Sequence, residues 1–439
     1  MLSRRAEPIG LIGALAIGAA LSFSCAPAAP AAPAGELAAA GLREAAAARS
    51  PAGDAASLPP ALDGGLDAGI RARARAIAEG YGLDELAGRL LMVSADGSDA
   101  MSSWYGSFLD DIRPGALILF GRNVPDEPFA MRGLTAGLRS GRHALPLPPF
   151  VAIDHEGGEV FRFKRGLTRL PAAAELGRGG PALASLAGRI SAAELSALGL
   201  SLNLAPVAEA LLPWNGAFLG GRAWSDDPTE AGEMAYAFVR ASQAAGLAAT
   251  LKHFPGNKGA DPHEALPLID EGPEDFERYY VRPFRTALRA RPAAVMLSHA
   301  AVTIFGDGLP ATLSPAAIRY LKEDLGFEGV VLSDDLVMAA LGAREGVAAA
   351  AIAALRAGAD LLMVSGAREA RSARDALRAA MAADPDLEAR GRDAARRAAA
   401  QALRFGGAAP LPEIASEDFV ALVDGHRAEL RAALDSTGP

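Results

Sequence analysis

Eight short apolar runs recur between residues 90 and 365, and they limit the folds that this chain of 439 residues can adopt. Near-continuous apolar runs of this length are typical of parallel strands that are buried on both faces. Helix-length amphipathic patterns, such as EAGEMAYAFVRASQAAG, lie between most of them. Eight strands with helical crossovers predict an α/β fold, a (β/α)8 TIM-like barrel in a single catalytic domain, and a doubly wound parallel sheet is the alternative. The predicted strands are 90–94, 116–120, 150–154, 200–206, 248–254, 293–299, 329–334 and 360–365.

The N-terminus has the layout of an export signal. Arg4 and Arg5 precede an apolar run from Ile9 to Phe23, which is too short to span a bilayer. The only cysteine, Cys25, follows directly and cannot form an internal disulfide. Its position is similar to that of the lipidated cysteine in bacterial lipoproteins. We therefore expect residues 1–24 to be a signal peptide and the protein to be exported to the periplasm or cell surface, with a lipid anchor on Cys25. Ordinary cleavage near the Ala-rich stretch, giving a soluble exported protein, is the alternative.

Composition divides the rest of the chain into three segments. Residues 25–65 are rich in Ala and Pro, which is typical of a flexible tether. Residues 66–410 carry the barrel pattern, and residues 411–439 form a tail in which EDFVALVDGHRAELRAAL indicates one more helix. The net charge of −9 argues against a nucleic-acid partner, because phosphate binding needs clustered Lys and Arg.

Polar clusters occur where several predicted strands end. In a barrel of this type, catalytic groups lie at the carboxyl ends of the strands. Each cluster also has a simpler interpretation: the Ser333–Asp335 cluster can cap a helix, Gly157-Gly158 can form a tight turn, and the histidines can be hydrogen-bonded core residues. Their repetition at the same end favours one site built from many strands. The clusters are Asp154-His155-Glu156, Lys252-His253, Ser298-His299 and Ser333-Asp334-Asp335.

The motifs resemble those of glycoside hydrolase family 3, in particular its single-domain β-N-acetylhexosaminidase branch. The resemblance covers roughly residues 85–370. Its most specific element is KHFPG followed by an Asp-x-His loop, and too few residues follow the barrel for the second α/β domain of the family's two-domain glucosidases. The motifs that carry it, in chain order, are GALILFGRNV, VAIDHEGGEVFRF, LSLNLAPVAEA, GGRAWSDDP, LKHFPG, PATLSP and FEGVVLSDDLVM.

The resemblance implies a role for individual residues. Asp334 matches the nucleophile, and Asp261 and His263 match a dyad in which His263 is the general acid/base. No cofactor and no metal are implied. The positions that match the family's sugar-binding residues are Asp154, Arg162, Arg222, Lys252 and His253.

These residue types suit a retaining glycosidase, which needs a carboxylate to attack the anomeric carbon and a proton donor for the leaving oxygen. Histidine titrates near neutral pH, so it can donate a proton and then accept one. Alternation along the seventh strand lets only one of Asp334 and Asp335 face the barrel mouth, and the other is then placed to cap the following helix.

Some positions depart from the family pattern. Asn257 stands where a second histidine is usual, Pro262 replaces the usual serine, and Glu159 stands where a basic residue is common. The loop between KHFPG and the dyad is also shorter than the family form. These changes affect loop geometry and exact substrate, and they remove none of the predicted catalytic groups.

The sequence therefore predicts a retaining, exo-acting β-N-acetylhexosaminidase that acts on peptidoglycan fragments or related glycans containing N-acetylglucosamine. Two alternatives remain open. One is a related β-glycosidase or phosphorylase of another sugar, and the other is an inactive sugar-binding lipoprotein.

Overall fold

The computed structural model describes residues 66–140, 147–259, 266–338, 346–405, 411 and 413–437. Eight parallel strands form one sheet within these ranges. Each lies inside one of the predicted apolar runs. The strands are β1 Leu91–Ser94, β2 Ala116–Leu119, β3 Phe150–Ile153, β4 Leu202–Asn203, β5 Ala248–Phe254, β6 Ala294–Leu297, β7 Val330–Leu332 and β8 Leu362–Val364.

The sheet curls into a nearly closed barrel. Hydrogen-bonded neighbours follow the order β7-β6-β5-β4-β3-β2-β1-β8. A parallel bridge between Leu332 and Leu361 joins the two ends of this order. The predicted barrel is thus confirmed and the doubly wound sheet is excluded, because an open sheet would leave the edges of β7 and β8 apart.

Helices connect successive strands on the outside of the barrel. Among the described helices, two begin at a capping aspartate followed by proline. Asp227, for example, accepts from the amides of Thr229 and Glu230 ahead of the helix that begins at Pro228. The helices are Ala68–Gly80, Leu83–Arg89, Ser103–Ile112, Met131–Ser140, Ala173–Gly177, Gly180–Ala197, Gly216–Leu219, Pro228–Ala244, Pro273–Phe276, Arg282–Leu288, Pro315–Arg319, Val347–Ala357, Ala367–Ala383, Pro385–Arg404 and Ser416–Ser436, with π-helical turns at Glu277–Val281 and Tyr320–Asp324.

Two apolar layers follow from the alternation of side chains along each strand. Outward-facing residues such as Val93 and Leu117 pack beneath the helices. Inward-facing residues such as Met92 and Ile118 fill the barrel interior. Ala74 and Ala400, from the helices Ala68–Gly80 and Pro385–Arg404, belong to the inner cluster. These two helices therefore close the amino-terminal end of the barrel and leave its carboxyl end as the open mouth.

The features predicted for the N-terminus lie outside the described residues. The signal peptide at 1–24, the tether at 25–65 and Cys25 all stay predictions. Within the described ranges, no helix combines the length and the apolar character needed to cross a bilayer.

Candidate active site

The carboxyl ends of β3, β5 and β7 bring three charged side chains into the barrel mouth. Asp154 follows β3, Lys252 lies within β5, and Asp334 follows β7. On β3 and β7, each charged residue lies two positions beyond an inward-facing residue, Ala152 and Leu332 respectively. Strand alternation therefore directs the carboxylates of Asp154 and Asp334 inward.

A cluster of opposite charges surrounds Lys252, whose side chain is 3% exposed. Its Nζ lies 2.7 Å from Asp154 Oδ1 and 2.6 Å from Glu156 Oε1. Arg222 donates from Nε and Nη2 to the two oxygens of Glu156, at 2.9 and 3.0 Å. Arg162 Nη2 lies 3.3 Å from Asp154 Oδ2. Four of the five predicted sugar-binding residues thus form one network.

This network holds Lys252 and Glu156 in their charged forms. Burial alone would lower the pKa of Lys252, but Asp154 and Glu156 outweigh it and raise that pKa. Burial alone would raise the pKa of Glu156, but Lys252 and Arg222 lower it to about 2. An ammonium group has three donors, so two serve the carboxylates and one remains for a ligand hydroxyl.

His253, the fifth predicted sugar-binding residue, is held by a buried glutamate. Its Nδ1 lies 2.7 Å from Glu209 Oε1. The same carboxylate accepts from Nδ2 of Asn257, at 3.1 and 3.2 Å to its two oxygens. Asn257, which replaces the family's usual histidine, is therefore a second donor to Glu209. This contact leaves the Nε2 edge of His253 as the part of the ring that can act on a ligand.

Asp334 is partly accessible at the mouth. Its Oδ1 accepts from the amide of Asp335 at 2.8 Å. Burial alone would raise the pKa of Asp334, but His299 and His253, with the Asp335 amide, lower it below its usual value. An ionised carboxylate with an accessible oxygen is the form that a nucleophile requires.

Asp335 points away from the mouth and acts structurally. Its Oδ1 accepts from the amides of Val337 at 3.1 Å and Ser365 at 3.2 Å. Burial raises its pKa. The hydrogen bonds give Asp334 and Asp335 different surroundings, and their roles stay predictions. The predicted helix after Asp335 runs into residues 339–345, outside the described residues.

Asp261 and His263 also lie outside the described residues, in the segment 260–265. The described residues on either side of this segment are joined by ion pairs. Lys258 Nζ lies 2.5 Å from Asp270 Oδ1 and 2.7 Å from Glu271 Oε1. The roles of Asp261 and His263 remain predictions.

A glycine turn places Arg162 beside Asp154. The short strands His155–Gly157 and Val160–Phe161 form an antiparallel hairpin. Gly157 and Gly158 both have positive φ, and a Cβ on Gly157 would lie 2.5 Å from the carbonyl oxygen of Pro171. Glycine is therefore required at this turn.

Three residues of the site were not predicted as members of it. Glu156 and His299 belong to the polar clusters at predicted strand ends and Glu209 belongs to the motif LSLNLAPVAEA, but none of the three matches a predicted catalytic or sugar-binding position. The buried His299 lies with Nδ1 2.9 Å from Thr312 Oγ1 and Nε2 3.1 Å from the carbonyl of Asp335. Glu156 lies two residues beyond Asp154 and Glu209 lies three residues beyond Pro206, so their closeness to recognised motif positions is the signal that the sequence offers.

Comparison with known proteins gives concordant results. The model of the glycosyl hydrolase family 3 N-terminal domain matches residues 82–397. A protein of Thioalkalivibrio sulfidiphilus named beta-hexosaminidase is 38% identical over 285 residues, which cover 62% of this chain and 80% of that protein.

Solved structures agree with the sequence relatives. A family 3 beta-N-acetylglucosaminidase from Paenibacillus superposes with a TM-score of 0.74 at 31% identity, covering 80% of this chain and 68% of that one. NagZ from Neisseria gonorrhoeae, solved in complex with N-trifluoroacetyl-D-glucosamine, superposes with a TM-score of 0.62 at 28% identity, covering 80% and 98%.

Proposed function

The chain belongs to glycosyl hydrolase family 3, and we propose that it removes terminal β-linked N-acetylhexosamine residues through a covalent intermediate on Asp334. It is a glycoside hydrolase of the β-N-acetylhexosaminidase type. The observation that carries the proposed mechanism is the placement of Asp334 after β7, two positions beyond the inward-facing Leu332 and at the same end of the barrel as the Lys252 network.

The first step forms the bond between an Asp334 carboxylate oxygen and the anomeric carbon. The glycosidic C–O bond breaks at the same time, and the leaving oxygen takes a proton from His263. In the second step His263 removes a proton from water, the water oxygen attacks the anomeric carbon, and the bond to Asp334 breaks. Inversion occurs twice, so the β configuration is retained. Asp261 orients His263 and stabilises its cationic form.

The charged network binds the sugar and aligns its anomeric carbon with Asp334. Lys252 has one donor left for a hydroxyl, and Asp154 keeps acceptor capacity beside it. Arg162 and Arg222 donate from the rim, where both are partly accessible. Because Lys252 is paired with two carboxylates, its position is fixed before the sugar arrives, which lowers the ordering cost of binding.

The experiment that tests this function compares chromogenic β-glycosides. The N-acetylglucosaminide should be hydrolysed with a kcat/KM far above that of the matched glucoside and xyloside, and the β-anomer of the sugar should be released first. Equal turnover of the glucoside would contradict the specificity. Turnover that rises with added phosphate and yields a sugar 1-phosphate would show a phosphorylase instead.

A second experiment tests the acid/base assignment. His263→Ala should slow cleavage of poor leaving groups by roughly 10²–10⁴-fold, because these need protonation. Activated phenols leave without protonation and should be affected less. Asp261→Asn should have a milder form of the same phenotype. Equal losses for all leaving groups would mean that His263 only binds or supports its loop.

We also propose that the protein acts outside the cytoplasm on peptidoglycan fragments, as a lipoprotein anchored through Cys25. The support is the sequence pattern of Arg4, Arg5, the apolar run and the single cysteine. Cys25→Ala should move the protein from the membrane fraction to the soluble exported fraction. Unchanged fractionation would exclude lipidation at this residue while leaving export possible.

A further inference from the structure

A cavity of about 320 Å³ opens at the amino-terminal end of the barrel. It is lined by Pro292, which precedes β6, by Gly329, which precedes β7, and by Arg404 at the end of the closing helix Pro385–Arg404. Asp334 follows the carboxyl end of β7. The cavity and the catalytic mouth therefore lie at opposite ends of the barrel, and the proposed glycosidase mechanism does not use the cavity.

The cavity wall carries an excess of positive charge. Its charged residues are Arg285, Arg289, Arg291, Arg404 and Glu328. Two of these are balanced by partners outside the cavity, because Arg285 pairs with Glu277 and Glu328 pairs with Arg71. Among the residues that the structure describes, no carboxylate oxygen lies within 4.0 Å of the guanidinium nitrogens of the other three. Three arginines without a carboxylate partner among the described residues thus line one cavity of a chain whose net charge is −9.

Contacts with the backbone and with aromatic rings hold these arginines in place. Arg404 Nη1 donates to the carbonyl of Arg291 at 3.0 Å, which places the two residues side by side. The same carbonyl accepts from Gln243 Nε2 at 3.0 Å. Arg289 lies over the ring of Tyr236, at 5.6 Å from its centroid. Burial and the neighbouring charge of Arg291 lower the pKa of Arg404, so an anion in the cavity would relieve a repulsion already present.

We propose that this cavity binds a phosphate-bearing ligand, with the guanidinium groups of Arg289, Arg291 and Arg404 as its donors. A guanidinium presents parallel N–H groups that match the spacing of phosphate oxygens, and charge-assisted bonds of this kind are stronger than neutral ones. Leu66, the first residue of the barrel that the structure describes, also lines the cavity. The phosphate group of an anionic lipid and a free phosphate compound share this chemistry.

The test separates these two sources of phosphate. The full chain in a Cys25→Ala background is titrated with pyrophosphate by calorimetry. It is also floated with phosphatidylcholine vesicles that contain or lack phosphatidylglycerol. Arg289→Gln/Arg291→Gln, which changes two exposed side chains, should weaken at least one of these interactions by roughly tenfold or more. The control Arg368→Gln/Arg371→Gln removes the same charge from the helix Ala367–Ala383 and should bind like the parent.

Activity on the chromogenic N-acetylglucosaminide should be the same in all three proteins, which shows that the variants are folded and that the catalytic mouth is intact. Loss of vesicle flotation alone identifies a lipid phosphate, and loss of pyrophosphate binding alone identifies a soluble one. The proposal is overturned if the parent binds neither probe. It is also overturned if the two variants bind equally well.

Discussion

At the scale of single residues, the order of side chains after β7 decides which carboxylate can react. Leu332 belongs to the inner cluster, and Ser333 turns outward, where its Oγ accepts from the amide of Met363 at 2.9 Å. Asp334 then faces the mouth, and Asp335 turns outward again to accept from the amide of Ser365. Asp334 is therefore available to react with a substrate, while Asp335 links the segments that follow β7 and β8 by a hydrogen bond.

Substitution of the two aspartates should separate these roles. Asp334→Ala should abolish turnover of every β-glycoside and leave the fold intact, because it removes the carboxylate that is proposed to form the glycosyl-enzyme. Asp335→Ala should mainly reduce stability, by roughly 0.5–2 kcal/mol, since it removes a cap-like acceptor. A fluorosugar inactivator followed by peptide mass spectrometry should find the adduct on Asp334. An adduct on Asp335, or activity in Asp334→Ala, would reverse the assignment.

Glu156 should make stability depend on acid pH. Its folded-state pKa of about 2 lies below the ordinary value of 4.5, so its contribution is fully present above pH 4.5 and is lost as pH falls towards 2. A shift of this size corresponds to about 3 kcal/mol. Glu156→Gln should therefore lower the melting temperature strongly at pH 7, and the difference from the parent should shrink below pH 4.5.

The control for this pH dependence is Glu159→Gln, three residues along in the exposed turn of the same hairpin. It should show no loss of melting temperature at any pH. If the deficit of Glu156→Gln stays constant down to pH 3, the ionised carboxylate of Glu156 contributes nothing specific to stability.

Much of the candidate site could be inferred from single residues, because polar side chains interrupt apolar runs at Asp154, Lys252 and Asp334. The partners of these residues could not be inferred in the same way. Arg222 reaches Glu156 from a different loop, and Glu209 reaches His253 from the segment after β4. Such pairs depend on how neighbouring loops approach in space, which neither spacing nor composition encodes.

At the scale of elements, strand positions were predictable and strand ends were not. The apolar runs locate all eight strands, because burial on both faces leaves a continuous apolar signature. β4 covers only Leu202–Asn203 of the predicted run 200–206, although the amide of Leu204 still donates to the carbonyl of Ile153. Strand ends depend on the hydrogen bonds that a neighbour offers, and those are absent from a local pattern.

The tail helix Ser416–Ser436 clamps a loop of the barrel mouth. His426 Nδ1 lies 2.9 Å from the buried carboxylate of Glu194. Glu194 also accepts from the amide and hydroxyl of Thr168, at 2.8 and 2.5 Å. Arg169, the residue after Thr168, donates to the carbonyl of Gly158 at 2.8 Å. The helix is thus connected through this loop to the hairpin that carries Arg162.

Truncation before Ser416 should lower the melting temperature and raise KM, because the hairpin with Arg162 loses its support. The value of kcat should change little, since Asp334 is held by β7 and β8. Val420→Ala is a suitable control, as this side chain is 54% exposed on the same helix and should leave all three quantities unchanged. A folded truncated protein with an unaltered KM would limit the helix to a role in stability.

At the scale of the whole molecule, the barrel divides into a catalytic end and a stabilising end. The mouth collects charged side chains from β3, β5 and β7. The opposite end is closed by the helices Ala68–Gly80 and Pro385–Arg404, whose small side chains let them approach the inner cluster closely. Side-chain volume at this closed end affects the stability of the fold, because well-packed interiors accommodate extra methylene groups poorly.

Enlarging one alanine at the closed end should therefore cost stability without affecting chemistry. Ala400 is 0% exposed and lies in the inner cluster, so Ala400→Leu should destabilise the fold by roughly 1–3 kcal/mol through overpacking. Ala389→Leu makes the same change at an exposed position of the same helix and should be nearly neutral, because Ala and Leu have similar helix propensities. Melting temperature and kcat are measured for both. Since Asp334 lies at the other end of the barrel, folded Ala400→Leu should keep the parental kcat at low temperature. A reduced kcat with an unchanged melting temperature would show that packing at the closed end controls the geometry of the mouth.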